Sequence, residues 1–255
     1  MKYAIFGDFH GTELGDLESA LSFENPDLLI CTGDFDRTKT IHQFKDLEEK
    51  YQKVGKQVVK IPGNHDHAAL TGLVINSEAM RMQGKNSYTL HQELMNDSVA
   101  KQYIDELVNS RDPGCTNNKV KIFLDEDKFG KGYPTIVIHG AYDGDLSSFP
   151  DCPENIRDLW MRLETKNDHR KNFDVMNQKG YKVMIRGHDH GAVYVYNDPN
   201  KGIVTHIPKG EGSAYRLFKH RKHTINPGAL FEGLFATIVT RVSGEDVPLL
   251  KYHKL

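Results

Sequence analysis

The sequence predicts an α/β protein. Three observations carry this. Strand-sized apolar runs alternate with helix-period segments over residues 2–61, strand-like runs return in the last third, and several strands end in a glycine beside Asp, Asn or His. A chain of 255 residues with 38% hydrophobic and 27% charged residues is long enough to bury a sizeable core.

Each element follows from its own pattern. Residues 2–6 are an apolar run ending at Gly7, a buried strand and a turn. Residues 13–23 set Leu14, Leu17, Ala20 and Leu21 at helical spacing, and residues 28–32 form a second strand. Ile41, Phe44, Leu47, Tyr51 and Val54 mark a helix over 40–54, and strand 57–61 stops at Pro62-Gly63. This βαβαβ order predicts a parallel sheet with right-handed crossovers, which binds ligands beyond the carboxyl ends of its strands. In the middle, 98–110 reads as helix, 111–118 (RDPGCTNN) as a turn cluster, and 120–124 and 135–139 as strands. Residues 153–179 read as mostly helical, with Trp160, Leu163, Phe173 and Met176 on one face. Strands follow at 182–186, 192–196, 202–207, 234–242 and 248–252. No repeat or Pro/Gly/Ser-rich linker divides the chain, so one domain over 1–255 is expected, with a cap-like insertion around 67–134.

Composition excludes several classes. The formal net charge of −2 gives no basic field for bulk polyanion binding. The apolar runs fall far short of the roughly 20 residues of a membrane helix, and the N-terminal one is too short for a signal peptide. Cys31, Cys115 and Cys152 are widely spaced and suggest neither a disulfide framework nor a CxxC site, so a reducing, cytoplasmic setting is the expectation. Thirteen histidines stand out.

Five strand ends gather many of the polar residues: Gly7-Asp8-Phe9-His10-Gly11, Gly33-Asp34-Phe35-Asp36, Gly63-Asn64-His65-Asp66, His139-Gly140 and Gly187-His188-Asp189-His190. Taken singly, each is an ordinary turn or helix cap. Five such ends, each after its own strand, are hard to produce as independent turns. Oxygen and imidazole donors in this mixture suit divalent transition metals.

The order and spacing of these motifs resemble the calcineurin-like metallophosphoesterases, dinuclear-metal phosphatases and phosphodiesterases. Asn226-Pro227-Gly228 adds a weaker likeness to the NPG loop of the small bacterial and archaeal branch. The resemblance implies a four-layer αββα sandwich of two mixed sheets flanked by helices. It implies that Asp8, His10 and His190 hold one divalent ion, that Asn64, His139 and His188 hold a second, and that Asp34 bridges them. The donors admit Mn, Fe, Zn, Ni or Co, with Mn as the working assignment. The implied reaction is attack of a metal-bridging hydroxide on phosphorus, with His65 as general acid.

One motif departs from the pattern. In many members the second motif runs Gly-Asp, two residues, then an Asp that supports the catalytic histidine. Here Asp36 comes one position early, leaving Asp36, Asp66 or neither to orient His65. Arg37 resembles the Asp-Arg pair of the protein-phosphatase branch and reads as a phosphate contact or a surface arginine; His67 reads as lining the substrate mouth or as exposed. His206 has the same two readings, and His169, His220, His223 and His253 read as surface residues. Residues 209–223 (KGEGSAYRLFKHRKH) read as a solvated hairpin, or as a basic, aromatic-interleaved surface that reaches the site and favours a nucleotide. The expected function is hydrolysis of a small phosphate monoester or diester, nucleotide-type substrates first. A phosphoprotein phosphatase, a nuclease acting on nucleic acid, and a metal-free scaffold of the same fold are the alternatives.

Overall fold

The computed structural model describes residues 1–73, 85–109, 121–124, 132–147, 149–150, 152–209, 212–240 and 247–255. The expected βαβαβ unit opens the chain as β1 (Lys2–Phe6), α1 (Gly15–Glu24), β2 (Leu28–Cys31), α2 (Thr38–Lys53) and β3 (Gln57–Lys60). There follow α3 (Asn64–Thr71), α4 (Lys85–Leu94), α5 (Ser98–Asn109), β4 (Lys121–Leu124) and β5 (Thr135–Ile138). A 3-10 turn (Glu154–Ile156) leads to α6 (Arg157–Trp160), α7 (Lys166–Gln178) and β6 (Val183–Ile185). The chain closes with β7 (Val193–Asp198), β8 (Gly202–His206), β9 (Ala214–Arg216), β10 (Lys222–Asn226), a 3-10 turn (Leu230–Glu232), β11 (Leu234–Val239) and β12 (Leu249–Lys254).

The strands form two mixed six-stranded sheets, ordered β3-β2-β1-β11-β12-β9 and β4-β5-β6-β10-β7-β8. In the first, β1, β2 and β3 run parallel and β11 joins β1 antiparallel. In the second, β5, β6 and β10 run parallel. The period-two pattern of β1 shows how the layers are joined. Tyr3 and Ile5 enter the core between the sheets with Leu28, Ile30, Val137, Val183, Ile185 and Ile225. Ala4 and Phe6 face outward and pack with Leu17 and Leu21 of α1 and Ile41, Phe44 and Leu47 of α2. On the far side, Ile136, Ile138 and Met184 meet Phe173 and Met176 of α7. These helix, sheet, sheet and helix layers are the expected four-layer sandwich. Strands buried on both faces read as continuous apolar runs, which is why the periodicity found them.

The structure corrects several readings. The helix expected over 153–179 is interrupted at 161–165, where Asp145 and Arg162 form an antiparallel bridge with N–H to carbonyl distances of 2.9 and 3.1 Å. α7 then starts afresh at Thr165, whose Oγ1 accepts from the Asp168 N–H at 3.2 Å. Asn64–Thr71 is helix beyond its first motif residues, and Lys85–Leu94 adds a helix to the middle of the chain. Residues 209–223 are not one hairpin. β9 pairs with β12 at the edge of the first sheet, whereas β10 lies inside the second between β6 and β7. The β10 sequence KHTIN is too polar to announce a buried strand: Asn226 Nδ2 donates to the Gly187 carbonyl at 3.2 Å, whereas the buried Thr224 hydroxyl has no hydrogen-bond partner among the described residues. The turn cluster at 111–118, Cys115 and residues 210–211 lie outside the described residues. Of the expected 67–134 insertion, α4 and α5 pack Leu90, Leu94, Tyr103 and Ile104 into the outer core beside α2. Among the described residues, no helix is long and apolar enough to cross a membrane.

Candidate metal centre

The carboxyl ends of β1, β2, β3, β5 and β6 meet where the two sheets abut. The loop after β1 runs alongside the loop after β2, with N–H to carbonyl bonds Asp8 to Gly33 (2.8 Å), His10 to Asp34 (3.1 Å) and Gly11 to Phe35 (3.0 Å). Between them the Phe9 and Phe35 rings stack 4.8 Å apart, both fully buried. Glycine permits the tightest approach. A Cβ on Gly33 (φ +89°) would fall 2.1 Å from the Gly63 nitrogen, and one on Gly63 would fall 1.9 Å from Asp34 Oδ1. The second sheet joins through the His188 N–H, which donates to Asp8 Oδ1 at 3.0 Å.

This scaffold gathers the seven expected ligand residues. Asp8, His10 and His190 offer donor atoms within 4.8 Å of one another, as do Asp34, His139 and His188. His10 Nε2 lies 2.9 Å from His190 Nε2. Asn64 Oδ1 lies 2.8 Å from His139 Nε2 and 3.0 Å from His188 Nδ1. Backbone carbonyls fix the imidazole tautomers. His139 Nδ1 donates to Thr32 at 2.6 Å and His188 Nε2 donates to Trp160 at 3.1 Å. In the neutral imidazoles the opposite nitrogens turn lone pairs toward Asn64 Oδ1, and lone pairs facing one another suit a cation. Asp34 Oδ2 is buried without a hydrogen-bond partner, 3.3 Å from His139 Nε2. Two buried carboxylates, four imidazoles and an amide oxygen fit divalent metal.

The buried carboxylates and imidazoles shift one another strongly. Burial, and then the neighbouring Asp34 charge, push Asp8 up to about 6. Burial also opposes ionisation of Asp34, yet His139, His65 and His10 together hold it well below the usual carboxylate range. His139 is raised to about 9 against its burial, chiefly by Asp34, and His190 is lowered to about 4 by burial and by His10.

Asp36 touches two imidazoles at once. Its Oδ1 accepts from His65 Nδ1 at 2.7 Å and its Oδ2 pairs with His10 Nδ1. Burial disfavours the His65 cation, but Asp34 and Asp36 outweigh it and raise His65 to about 10. Asp66 turns elsewhere: its carboxylate accepts the backbone N–H groups of Gly63, Asp34 and Phe35 at 2.8–2.9 Å. Arg37 Nε donates to Glu93 Oε1 at 2.6 Å, and half-buried His67 keeps an unpartnered Nδ1 on α3.

Other residues were missed or misplaced by sequence reasoning. Fully buried Arg186 donates to the Gly140 carbonyl at 2.8 Å and pairs with Asp189. The only sequence signal is an arginine closing the apolar run of β6. Two histidines expected on the surface are buried. His169 lies on α7, and His223 accepts from the Tyr194 hydroxyl at 2.8 Å and donates to the Phe218 carbonyl at 3.0 Å. His253 stacks on Phe235 at 4.5 Å and half-buried His206 stacks on Tyr194 and Tyr196, whereas His220 is exposed as expected.

The sequence model of the calcineurin-like phosphoesterases matches residues 1–192. A solved metallophosphoesterase from Sphaerobacter thermophilus superposes with a TM-score of 0.63 at 18% identity, over 100% of this chain and 88% of that chain. This likeness is one of fold. An archaeal phosphodiesterase gives a TM-score of 0.43 at 16% identity over 100% of both chains. Yfce, a phosphoesterase from E. coli, gives 0.36 at 15% over 90% of this chain and 80% of its own. No protein of curated function matches the chain by sequence.

Proposed function

Since the chain belongs to the calcineurin-like phosphoesterase family, hydrolases of phosphoric esters, we propose that it is a dinuclear-metal phosphoesterase of small monoesters or diesters, nucleotide-type substrates first. The observation that carries this reading is the gathering of His139 Nε2 and His188 Nδ1 around Asn64 Oδ1, beside the unpartnered Asp34 Oδ2. In it, Asp8, His10 and His190 would hold one ion, Asn64, His139 and His188 would hold the other, and Asp34 would serve both. Two divalent ions in such a site supply Lewis-acid activation of water and neutralise phosphoryl charge.

The chain's own residues do the rest. Asp36 accepts the Nδ1–H of His65 and so directs Nε2 outward, the orientation a proton donor to the leaving-group oxygen requires. The same carboxylate orients His10, so one residue couples an acid to a ligand. Thr32 and Trp160 hold His139 and His188 through their carbonyls. His67 is assigned to the substrate mouth. Arg37 would have to exchange Glu93 for phosphate to serve as a contact.

The test is a panel assay on protein loaded with Mn, repeated after chelation: a nitrophenyl monoester, its bis-nitrophenyl diester, a dinucleoside polyphosphate and a phosphopeptide. Chelator-sensitive turnover of the small esters is expected. Turnover of the peptide alone would make it a phosphoprotein phosphatase, and no turnover with no bound metal would overturn the enzyme reading.

A further inference from the structure

Solvent reaches the candidate centre from one side. Asp8, Asp34, Asn64, His139 and His188 are buried, whereas the His65 side chain is 20% exposed and His190 is half-buried. On this open side stands Phe231. It is 43% exposed, and its ring lies edge-on to His10 at 5.1 Å and to His190 at 5.3 Å. Single exposed apolar side chains are ordinary on protein surfaces. Among the exposed large apolar side chains of the described residues, Phe231 is the one whose ring lies against candidate ligands.

Its position is fixed by the site's own backbone. Phe231 is the middle residue of the 3-10 turn Leu230–Glu232. The Ala229 N–H donates to the His190 carbonyl at 2.8 Å and the Leu230 N–H to the Gly7 carbonyl at 2.9 Å. Buried Leu230 anchors the turn in the outer core. A partly exposed aromatic ring is thus held beside His10 and His190. An aromatic ring so placed lends area to another planar ring at low conformational cost.

We infer that Phe231 is a stacking platform for a planar aromatic group on the alcohol side of the phosphate ester, and so a specificity-determining residue. This rests on the phosphoesterase reading above, and it separates aryl esters and nucleotides from aliphatic phosphates.

The experiment measures binding of non-hydrolysable ligands to the Mn-loaded protein by calorimetry, so it does not depend on turnover. One pair is phenylphosphonate against methylphosphonate. The other is the methylene-phosphonate isostere of adenosine monophosphate against that of ribose 5-phosphate. Wild type should prefer the aromatic member of at least one pair. The first pair alone identifies an aryl ester, the second a nucleotide. Phe231→Ala should reduce that preference about tenfold, Phe231→Leu should leave it reduced, and Phe231→Trp should restore it. Equal affinities within both pairs in wild type, including no measurable affinity, would overturn the inference, as would full preference in Phe231→Leu. The latter would make Phe231 a packing residue for the two imidazoles. Failure of the phosphoesterase reading would appear separately, in the turnover panel.

Discussion

Replacing Arg186 with methionine would test how half of the centre is held. Among the described residues Arg186 is the largest fully buried side chain, and its guanidinium bonds the Gly140 carbonyl at 2.8 Å, the Met161 carbonyl at 3.5 Å and the Asp189 carboxylate. Each partner adjoins a candidate ligand or its support. Gly140 follows His139, Asp189 separates His188 from His190, and Met161 follows Trp160, whose carbonyl holds His188. Methionine fills much of the volume but donates nothing, and Asp189, held down to about 2 by Arg186 against its own burial, loses its cation. Removing one member of a buried pair costs about 3–5 kcal/mol. The Asp189 side chain keeps 20% exposure, so the lower end, about 3 kcal/mol, is expected. Urea unfolding of the chelated protein at pH 7 measures this directly. With its cation gone, Asp189→Asn in the Arg186→Met background should cost less than about 1 kcal/mol, far below its cost in wild type. In Mn titrations, Arg186→Met should lose first the ion assigned to Asn64, His139 and His188. A cost under about 1 kcal/mol, or additive single effects, would refute the view that this pair staples the three segments.

The remaining predictions concern the centre and one buried histidine. Asp34→Asn should lower metal content at both sites by elemental analysis and abolish turnover; retention of both ions would remove it as the bridge. His65→Asn should keep metal content near wild type and cut turnover roughly 10²–10⁴-fold, and loss of the metals instead would reassign His65 as a ligand. Asp36→Asn should cost roughly ten- to hundredfold in turnover, read from steady-state kinetics, because both imidazoles lose their charged acceptor. His223 is lowered to about 4 by burial and then by the nearby Arg221, His220 and Lys182 charges. The unfolded chain therefore takes up a proton near 6.5 that the folded chain refuses, so stability falls as pH drops from 6.5 toward 4, by roughly 3 kcal/mol in all. Urea midpoints of chelated wild type and His223→Gln between pH 7 and 4 should show the variant losing less; equal slopes would exclude the effect.

Sequence made the scaffold legible where burial imposed a period. β1, β2, β5 and β6 are buried along nearly their whole length and, like β3, are followed within three residues by glycine, so both the strands and the polar residues beyond them could be located. It failed where polar residues are buried because distant partners satisfy them. Asn226 of β10 and buried His223 look like surface residues until Gly187, Tyr194 and Phe218 are in place. Arg186 failed for the same reason, since its partners lie some 25–46 residues away as well as three. The helix following Asn64 was hidden by its own polar start.

The early position of Asp36 has a backbone explanation. Among the described residues, seven non-glycine residues adopt positive φ, and apart from the helix cap Asn25 they are Asp8 (49°), His10 (46°), Asp34 (65°), Asp36 (63°), His188 (73°) and His190 (59°). Such conformations cost about 1–2 kcal/mol each for residues with a Cβ, so three loops with the same alternation are held that way by their surroundings. In each, the first and third residues turn toward the centre while the middle one is anchored elsewhere. Phe9 and Phe35 stack in the core, and Asp189 pairs with Arg186. A carboxylate at the third position of the second loop therefore reaches the imidazoles, as Asp36 does at His65 and His10. One residue later the chain has left this geometry: Arg37 is extended (φ −144°) at the start of α2, and its side chain runs to Glu93 on α4. An acid at position 37 would thus point along the route Arg37 takes. In this loop, the second residue after Asp34 is the one from which a carboxylate supports the histidine.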